Sequence, residues 1–227
     1  MHHDVLVFDD LDALSRAAAH HVADLAHETA GEDKTFHLAL SGGRTPWEMV
    51  AVLVTLDMPW ERTVVWQVDE RVAPYDDPDR NLAHLQEALG GTAAQVRAMP
   101  VEDADLDAAA ARYGAALPLE LDLVHLGIGP DGHTASLVPT DPVLLVHDAP
   151  VALTAAEYNG RRRMTLTYPG IARARRLLWL VSGADKRGAL EKLLAADPSI
   201  PAGRVEAGAS LVMADRAAAA PAPPGRV

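Results

Sequence analysis

LDLVHLGIGPDGHTASLVP, residues Leu121 to Pro139, is the stretch on which the reading of this chain turns. Its first six residues, Leu121 to Leu126, make an apolar run broken only by Asp122 and His125, the pattern of a buried strand. Gly127, Gly129 and Gly132 follow, and glycines let a backbone take positive φ and approach a ligand closely. Asp131 and His133 sit inside that loop, two residues apart. A strand that runs into a glycine-rich loop carrying an acid and an imidazole is where an open α/β sheet places its chemistry. His133 is therefore the candidate catalytic base.

Working outward, the same alternation of strand and helix recurs on both sides. Upstream, Val5 to Phe8 reads as a strand, and Asp9 or Asp10 can cap a helix with Leu11, Leu14, Ala18, Val22 and Leu25 at helical spacing. Phe36 to Leu40 and Thr63 to Val68 are strands, each followed by a helical pattern: Trp47 to about Leu56, and Asn81 to Leu89. Val96 to Pro100 and Asp103 to Leu117 give a further strand and an Ala-rich helix. Downstream, Val143 to Ala156 is mixed, Met164 to Thr167 is a strand with alternating faces, and Pro169 to Arg175 is a short helix. Leu177 to Ser182 is an apolar strand stopped by Gly183, before a helix that reaches Ala195, and Ala209 to Met213 is the last strand. Such alternation predicts an α/β fold in which a mostly parallel sheet is covered by helices on both faces. A single domain is expected over residues 1–216, and the Ala/Pro-rich segment 217–227 is expected to be a disordered tail.

Composition narrows the class. At 227 residues the chain can bury a substantial core. It has no Cys, so disulfides, thiolate nucleophiles and Cys-based zinc sites are excluded. No apolar run approaches transmembrane length and no signal-peptide pattern opens the chain, so the expected compartment is the cytoplasm. The net charge of −12 argues against nucleic acid or an anionic membrane as partner. Local Arg and Lys clusters gain significance against that background. His20, His21 and His27 are read as a polar helix face, since no Asp or Glu at ligand spacing joins them in a recognisable motif, and no metal site is expected. Asp76, Asp77 and Asp79 lack the glycine and closing Glu of a calcium loop and read as turn and cap residues.

Four segments place polar or glycine chemistry at strand ends. Ser41-Gly42-Gly43-Arg44-Thr45-Pro46 joins a strand to a helix, with Thr45 as cap and Pro46 in the first turn; its amides can cradle an anion. It is not a Walker loop, lacking Gly-Lys-Ser/Thr, and not a nucleophile elbow, because Ala39 stands where the first glycine is needed. Asp69-Glu70-Arg71 is a charged strand end, equally compatible with a site and with a solvated edge. The loop at Gly127 to His133 formally matches the dinucleotide fingerprint, but it has Pro130 and Asp131 where the pyrophosphate would lie. Lys186 falls in a first helical turn, unfavourable for the helix dipole and therefore a candidate for meeting a phosphate. One of Arg161, Arg162 and Arg163 can point into the same pocket, and the sequence does not select which. A parallel sheet lines these ends along one edge, so the constellation suits a small phosphorylated substrate better than a nucleotide.

These segments resemble the 6-phosphogluconolactonase family over nearly the whole chain. The resemblance rests on Ser-Gly-Gly-x-Thr-Pro at Ser41 to Pro46, Asp-Glu-Arg at Asp69 to Arg71, and Asn81. It continues through Leu-Gly-x-Gly-x-Asp-Gly-His-Thr-Ala-Ser-Leu at Leu126 to Leu137, Arg-x-Thr-Leu-Thr at Arg163 to Thr167, and Gly-x-x-Lys at Gly183 to Lys186. Arg44 and Arg80 stand where Ser is commoner in the family, and Val138 where Phe is common. The resemblance implies a modified Rossmann-like sandwich and hydrolysis of a phosphorylated sugar lactone in the pentose phosphate pathway. It implies His133 as base and Asp131 as its orienting partner. Ser41, Gly42, Gly43, Arg44, Thr45, Asp69, Arg71, Asn81, Gly129, Arg163 and Lys186 then form the substrate and phosphate site. It implies no metal or organic cofactor, and a monomer or weak homo-oligomer.

Two other functions compete. The related glucosamine-6-phosphate deaminase/isomerase family shares the Asp-Gly-His loop, but has Asp-Glu-Tyr at the position of Asp69 to Arg71. It continues His-Ile-Ala-Phe-Asn-Glu-Pro where this chain reads His133-Thr134-Ala135-Ser136-Leu137-Val138-Pro139, so the Glu used for ring opening is missing here. A non-catalytic sugar-phosphate sensor would need the anion cradle but not the Asp131/His133 pair.

Overall fold

The computed structural model describes residues 2–30 and 34–219. Ten strands and seven α-helices follow in the order β1 (Asp4–Phe8), α1 (Leu11–Ala30), β2 (Phe36–Leu40), α2 (Arg44–Leu53), β3 (Thr63–Gln67), β4 (Asp69–Arg71), α3 (Asn81–Leu89), β5 (Gln95–Arg97), α4 (Leu106–Ala116) and β6 (Leu121–Leu126). The remainder are β7 (Val151–Leu153), β8 (Arg163–Leu166), α5 (Tyr168–Ile171), β9 (Ala174–Val181), α6 (Arg187–Leu194), β10 (Ala209–Asp215) and α7 (Arg216–Ala219).

Seven strands form a parallel sheet in the order β1-β10-β9-β6-β2-β3-β5. From β2 the chain moves outward through β3 to β5; from β6 it moves the other way through β9 to β10, which pairs with the first strand, β1, at the edge. The order therefore reverses between β2 and β6, and a crevice opens at the carboxyl ends of strands at such a point. Alternate residues of β2 and β6 supply the two cores. Phe36, Leu38, Leu40 and Leu123 pack with α1 and α2 on one face. Val124 and Leu126 pack with α4, α6 and the residues of β7 and β8 on the other. The expected mostly parallel sheet with helices on both faces is thus present.

One open alternative is decided and three local expectations are corrected. Asp69 to Arg71 is not a solvated strand end: β4, β8 and β7 make a second, antiparallel sheet, with Arg71 opposite Arg163. Val68 is the step between the sheets, its N–H donating to Leu40 O (3.0 Å) and its carbonyl accepting from Leu166 N (2.8 Å). For the same reason β8 is buried on both sides rather than alternating. Thr45 is not the cap of α2; the helix starts at Arg44 behind Gly43, whose φ of 127° favours glycine. The segment expected to be a tail begins with a helical turn, in which Ala218 is buried; residues 220–227 lie outside the described ones.

His125 of β6 is fully buried, and neither ring nitrogen has a hydrogen-bond partner among the described residues. Burial pushes its pKa down to about 3. The unfolded chain protonates this imidazole below pH 6.5 while the native state keeps it neutral, so stability is lost as pH falls from 6.5 towards 3. At pH 5 the loss attributable to His125 is about 2 kcal/mol. Urea unfolding at pH 7.5 and pH 5 should show a His125→Leu variant losing about 2 kcal/mol less than the parent between the two conditions. Equal losses would contradict this origin.

Candidate active site

The glycine loop after β6 is built around the Asp131 carboxylate. Asp131 Oδ1 accepts from the His133 backbone N–H at 3.1 Å and lies 2.6 Å from His133 Nδ1. Gly129 N donates to His133 O and Gly132 N to Gly129 O, which closes the loop on itself. A Cβ at Gly129 would sit 2.0 Å from His133 Nδ1 and 2.6 Å from Asp131 Oδ1, so only glycine leaves room for the pair. Gly132 takes φ +83°. Partial burial pushes the Asp131 carboxyl up, but the hydrogen bonds from His133 outweigh it and hold the group below its ordinary value. An ionised Asp131 accepts the Nδ1 proton, which leaves Nε2 with its lone pair free.

The Ser41 to Thr45 turn lies beside this loop because Ser41 Oγ donates to His125 O at 3.0 Å, linking the ends of β2 and β6. Asn81, the first residue of α3, packs against Gly42 so closely that a Cβ there would lie 1.9 Å from its Oδ1. That amide donates to Asp69 O (2.9 Å) and accepts from Arg71 Nη1 (2.9 Å). Asp69 is buried and accepts from Ser136 Oγ at 2.6 Å. Burial raises its pKa, opposed by the Ser136 hydrogen bond and by Arg163. Burial and the facing Arg71 push Arg163 down, and its Nη2 donates to Tyr158 O at 3.0 Å. Lys186 enters from the turn after β9, paired with Asp185 at 3.3 Å.

Together these groups line a cleft of about 490 Å³ at the carboxyl ends of β2, β6 and β9. Every sequence-predicted site residue faces it except Asp131, which stands behind His133. Of the three consecutive arginines, Arg163 faces the cleft, while Arg161 pairs with Asp77 at 2.5 Å and Arg162 donates to Thr154 O. Tyr158, Asn159, Ser136 and Asp185 also line it and were not anticipated. The Tyr158 ring meets the His133 ring edge-on with centroids 5.2 Å apart, and the Arg163 guanidinium lies 5.8 Å from its centroid. Ser136 stood within the quoted motif; Tyr158 lay in a segment with no periodicity to place it. Among the described residues no group of three His, Cys, Asp or Glu side chains could hold a metal ion. No described helix is long and apolar enough to cross a membrane.

A crevice at a sheet reversal, lined by Arg44, Arg71, Arg163, Lys186 and the His133 imidazole, marks an α/β protein with a cationic cleft at the carboxyl ends of its strands. Residues 9–213 match the model of the glucosamine-6-phosphate isomerases/6-phosphogluconolactonase family, and the chain belongs to that family. A 6-phosphogluconolactonase of Mesorhizobium japonicum is 36% identical over 205 residues, covering 86% of each chain. The rabbit GDH/6PGL endoplasmic bifunctional protein is 38% identical over 67% of this chain; the match spans only 21% of that longer relative. The crystal structure of 6-phosphogluconolactonase from Thermotoga maritima superposes with a TM-score of 0.83 at 24% identity, covering 93% of this chain and 99% of the other, a likeness of fold.

Proposed function

We propose that this protein hydrolyses 6-phospho-D-glucono-1,5-lactone to 6-phospho-D-gluconate, with His133 as general base. The observation that carries the reading is the Asp131–His133 contact of 2.6 Å at the mouth of a cation-lined cleft. The family covers two activities, and the residues favour hydrolysis over isomerisation: Arg71 stands where the deaminase/isomerase pattern has Tyr, Thr134-Ala135-Ser136-Leu137 where it has Ile-Ala-Phe-Asn, and Val138 where it has its ring-opening Glu. The relatives described above that are named 6-phosphogluconolactonase support the same choice.

His133 Nε2 takes a proton from water as the water oxygen attacks the lactone carbonyl carbon. The resulting oxyanion is met by backbone N–H groups of the glycine loop and by a nearby arginine. Collapse breaks the bond from the carbonyl carbon to the ring oxygen, and the imidazolium returns its proton to that departing alkoxide. Asp131 keeps the imidazole in one tautomer throughout and stabilises the imidazolium. Arg71, Arg163, Lys186 and the amides of the Ser41 to Thr45 turn hold the phosphate, as charge-assisted hydrogen bonds do elsewhere. Arg44 adds a further cation beside that turn. The chemistry needs no metal or organic cofactor, and the reading takes the enzyme to be cytoplasmic and a monomer or weak homo-oligomer.

Fresh 6-phosphogluconolactone, followed against its spontaneous hydrolysis, tests the reading: a rate above background is expected, and none would refute it. Lys186→Ala should raise KM by about tenfold with a smaller change in kcat. An unchanged KM would remove Lys186 from the phosphate site.

A further inference from the structure

Asp215, the last residue of β10, does not line the cleft, yet its carboxylate controls the turn that delivers Lys186 to it. The side chain is only 5% exposed. Its Oδ2 accepts from Ser182 Oγ at 2.6 Å, and the Gly183 backbone N–H donates to the same carboxylate at 3.1 and 3.2 Å. Its Oδ1 also accepts from Ala218 N at 2.7 Å. Three donors from two segments thus converge on one group. Gly183 carries φ +102° and its carbonyl accepts from Lys186 N at 3.1 Å. The peptide hydrogen bonds therefore run from the Asp215 carboxylate through Gly183 to the backbone of Lys186.

We propose that Asp215 is a positioning residue for substrate phosphate, acting through the Ser182–Gly183 turn to aim Lys186 into the cleft. This rests on the reading that Lys186 meets the phosphate. Lys186 has one competing partner close by, Asp185 at 3.3 Å. A turn released from Asp215 no longer fixes the backbone of Lys186, so the ammonium is left to its pairing with Asp185 instead of being held on the ligand. An amide at position 215 is nearly isosteric but presents N–H groups towards donors, so it breaks the convergence without opening a cavity.

Steady-state kinetics with 6-phosphogluconolactone on the parent, Asp215→Asn, Lys186→Ala and the double variant decide the matter. Asp215→Asn should raise KM about fivefold with kcat within about twofold. In the Lys186→Ala background the same substitution should change KM by less than about twofold, because its effect runs through Lys186. A general loss of structure would move kcat as well and would persist in the double variant. An unchanged KM in Asp215→Asn, or KM effects that multiply independently, would overturn the proposal. If Lys186→Ala raises KM and Asp215→Asn does not, only the role of Asp215 fails; if Lys186→Ala itself leaves KM unchanged, the phosphate reading fails and takes this one with it. Should Asp215→Asn not fold, Ser182→Ala removes the 2.6 Å bond and leaves the carboxylate in place. Its KM should then rise by about twofold or more in the parent and by less in the Lys186→Ala background, and no rise would overturn the proposal.

Discussion

A His133→Ala variant is expected to hydrolyse the lactone about 10²- to 10⁴-fold more slowly in kcat than the parent, at an almost unchanged melting temperature. The two halves of that statement have separate origins. The imidazole is the group that can take the proton of water, and with Nδ1 turned to Asp131 its Nε2 is the atom available to do so. Neither the cations nor the loop amides can accept a proton in its place, so what survives is rate owed to binding and oxyanion stabilisation. The fold half follows from position. The His133 side chain is 22% exposed at the cleft wall, and its main contacts are Asp131 and the edge of Tyr158. Removing it leaves a gap open to solvent rather than a void in either core. Its backbone bonds to Gly129 and Asp131 do not depend on the side chain. Rates measured with the lactone in large excess, together with a thermal melt, separate the two effects. A variant as fast as the parent would end the base assignment.

How far this site could be read from the sequence depends on whether each residue's surroundings are local. The loop from Gly127 to His133 was legible because its contacts are internal: Gly129, Asp131 and His133 hold one another. Strands β2 and β6 were legible to the residue because each is buried on both sides and reads as an apolar run. The second sheet was not. β4 has only three residues, and its partner β8 lies more than ninety residues further on, so no local pattern pairs Arg71 with Arg163. The selection of Arg163 from three consecutive arginines, left open by residue type, is settled by that pairing. Tyr158 stayed hidden for a similar reason: it reaches the imidazole from a turn between β7 and β8, and the tertiary fold alone brings it there.

Glu70 is the sharper case, and it carries the second large prediction. In the sequence it is the middle of three charges with nothing to separate it from its neighbours. In the fold Asp69 and Arg71 face the cleft, and Glu70 points the other way, fully buried. Its carboxylate accepts from Gln67 Nε2 at 2.8 Å, Arg71 N at 2.7 Å, Asn81 N at 2.9 Å and Leu82 N at 2.8 Å, with Arg80 Nε at 3.5 Å. Arg80, the residue before α3, offers no side-chain cap, so Glu70 does that work from another strand. Glu70→Ala should therefore cost about 3–5 kcal/mol, because it orphans several buried N–H donors at once and leaves the buried Arg80 guanidinium with Glu102 alone. For a chain of this length that is a fall of about 10 °C in melting temperature. Activity should fall with it, since Glu70 fixes the backbones of Arg71 and Asn81, which meet each other at 2.9 Å in the cleft. Glu70→Gln keeps the volume but turns an amide NH₂ towards donors, and should lie between the parent and Glu70→Ala. Calorimetric melts of the three proteins give the order. A Glu70→Ala protein melting within about 2 °C of the parent would show that water or a rearranged Asp69 satisfies those donors at little cost, and that α3 does not depend on this carboxylate.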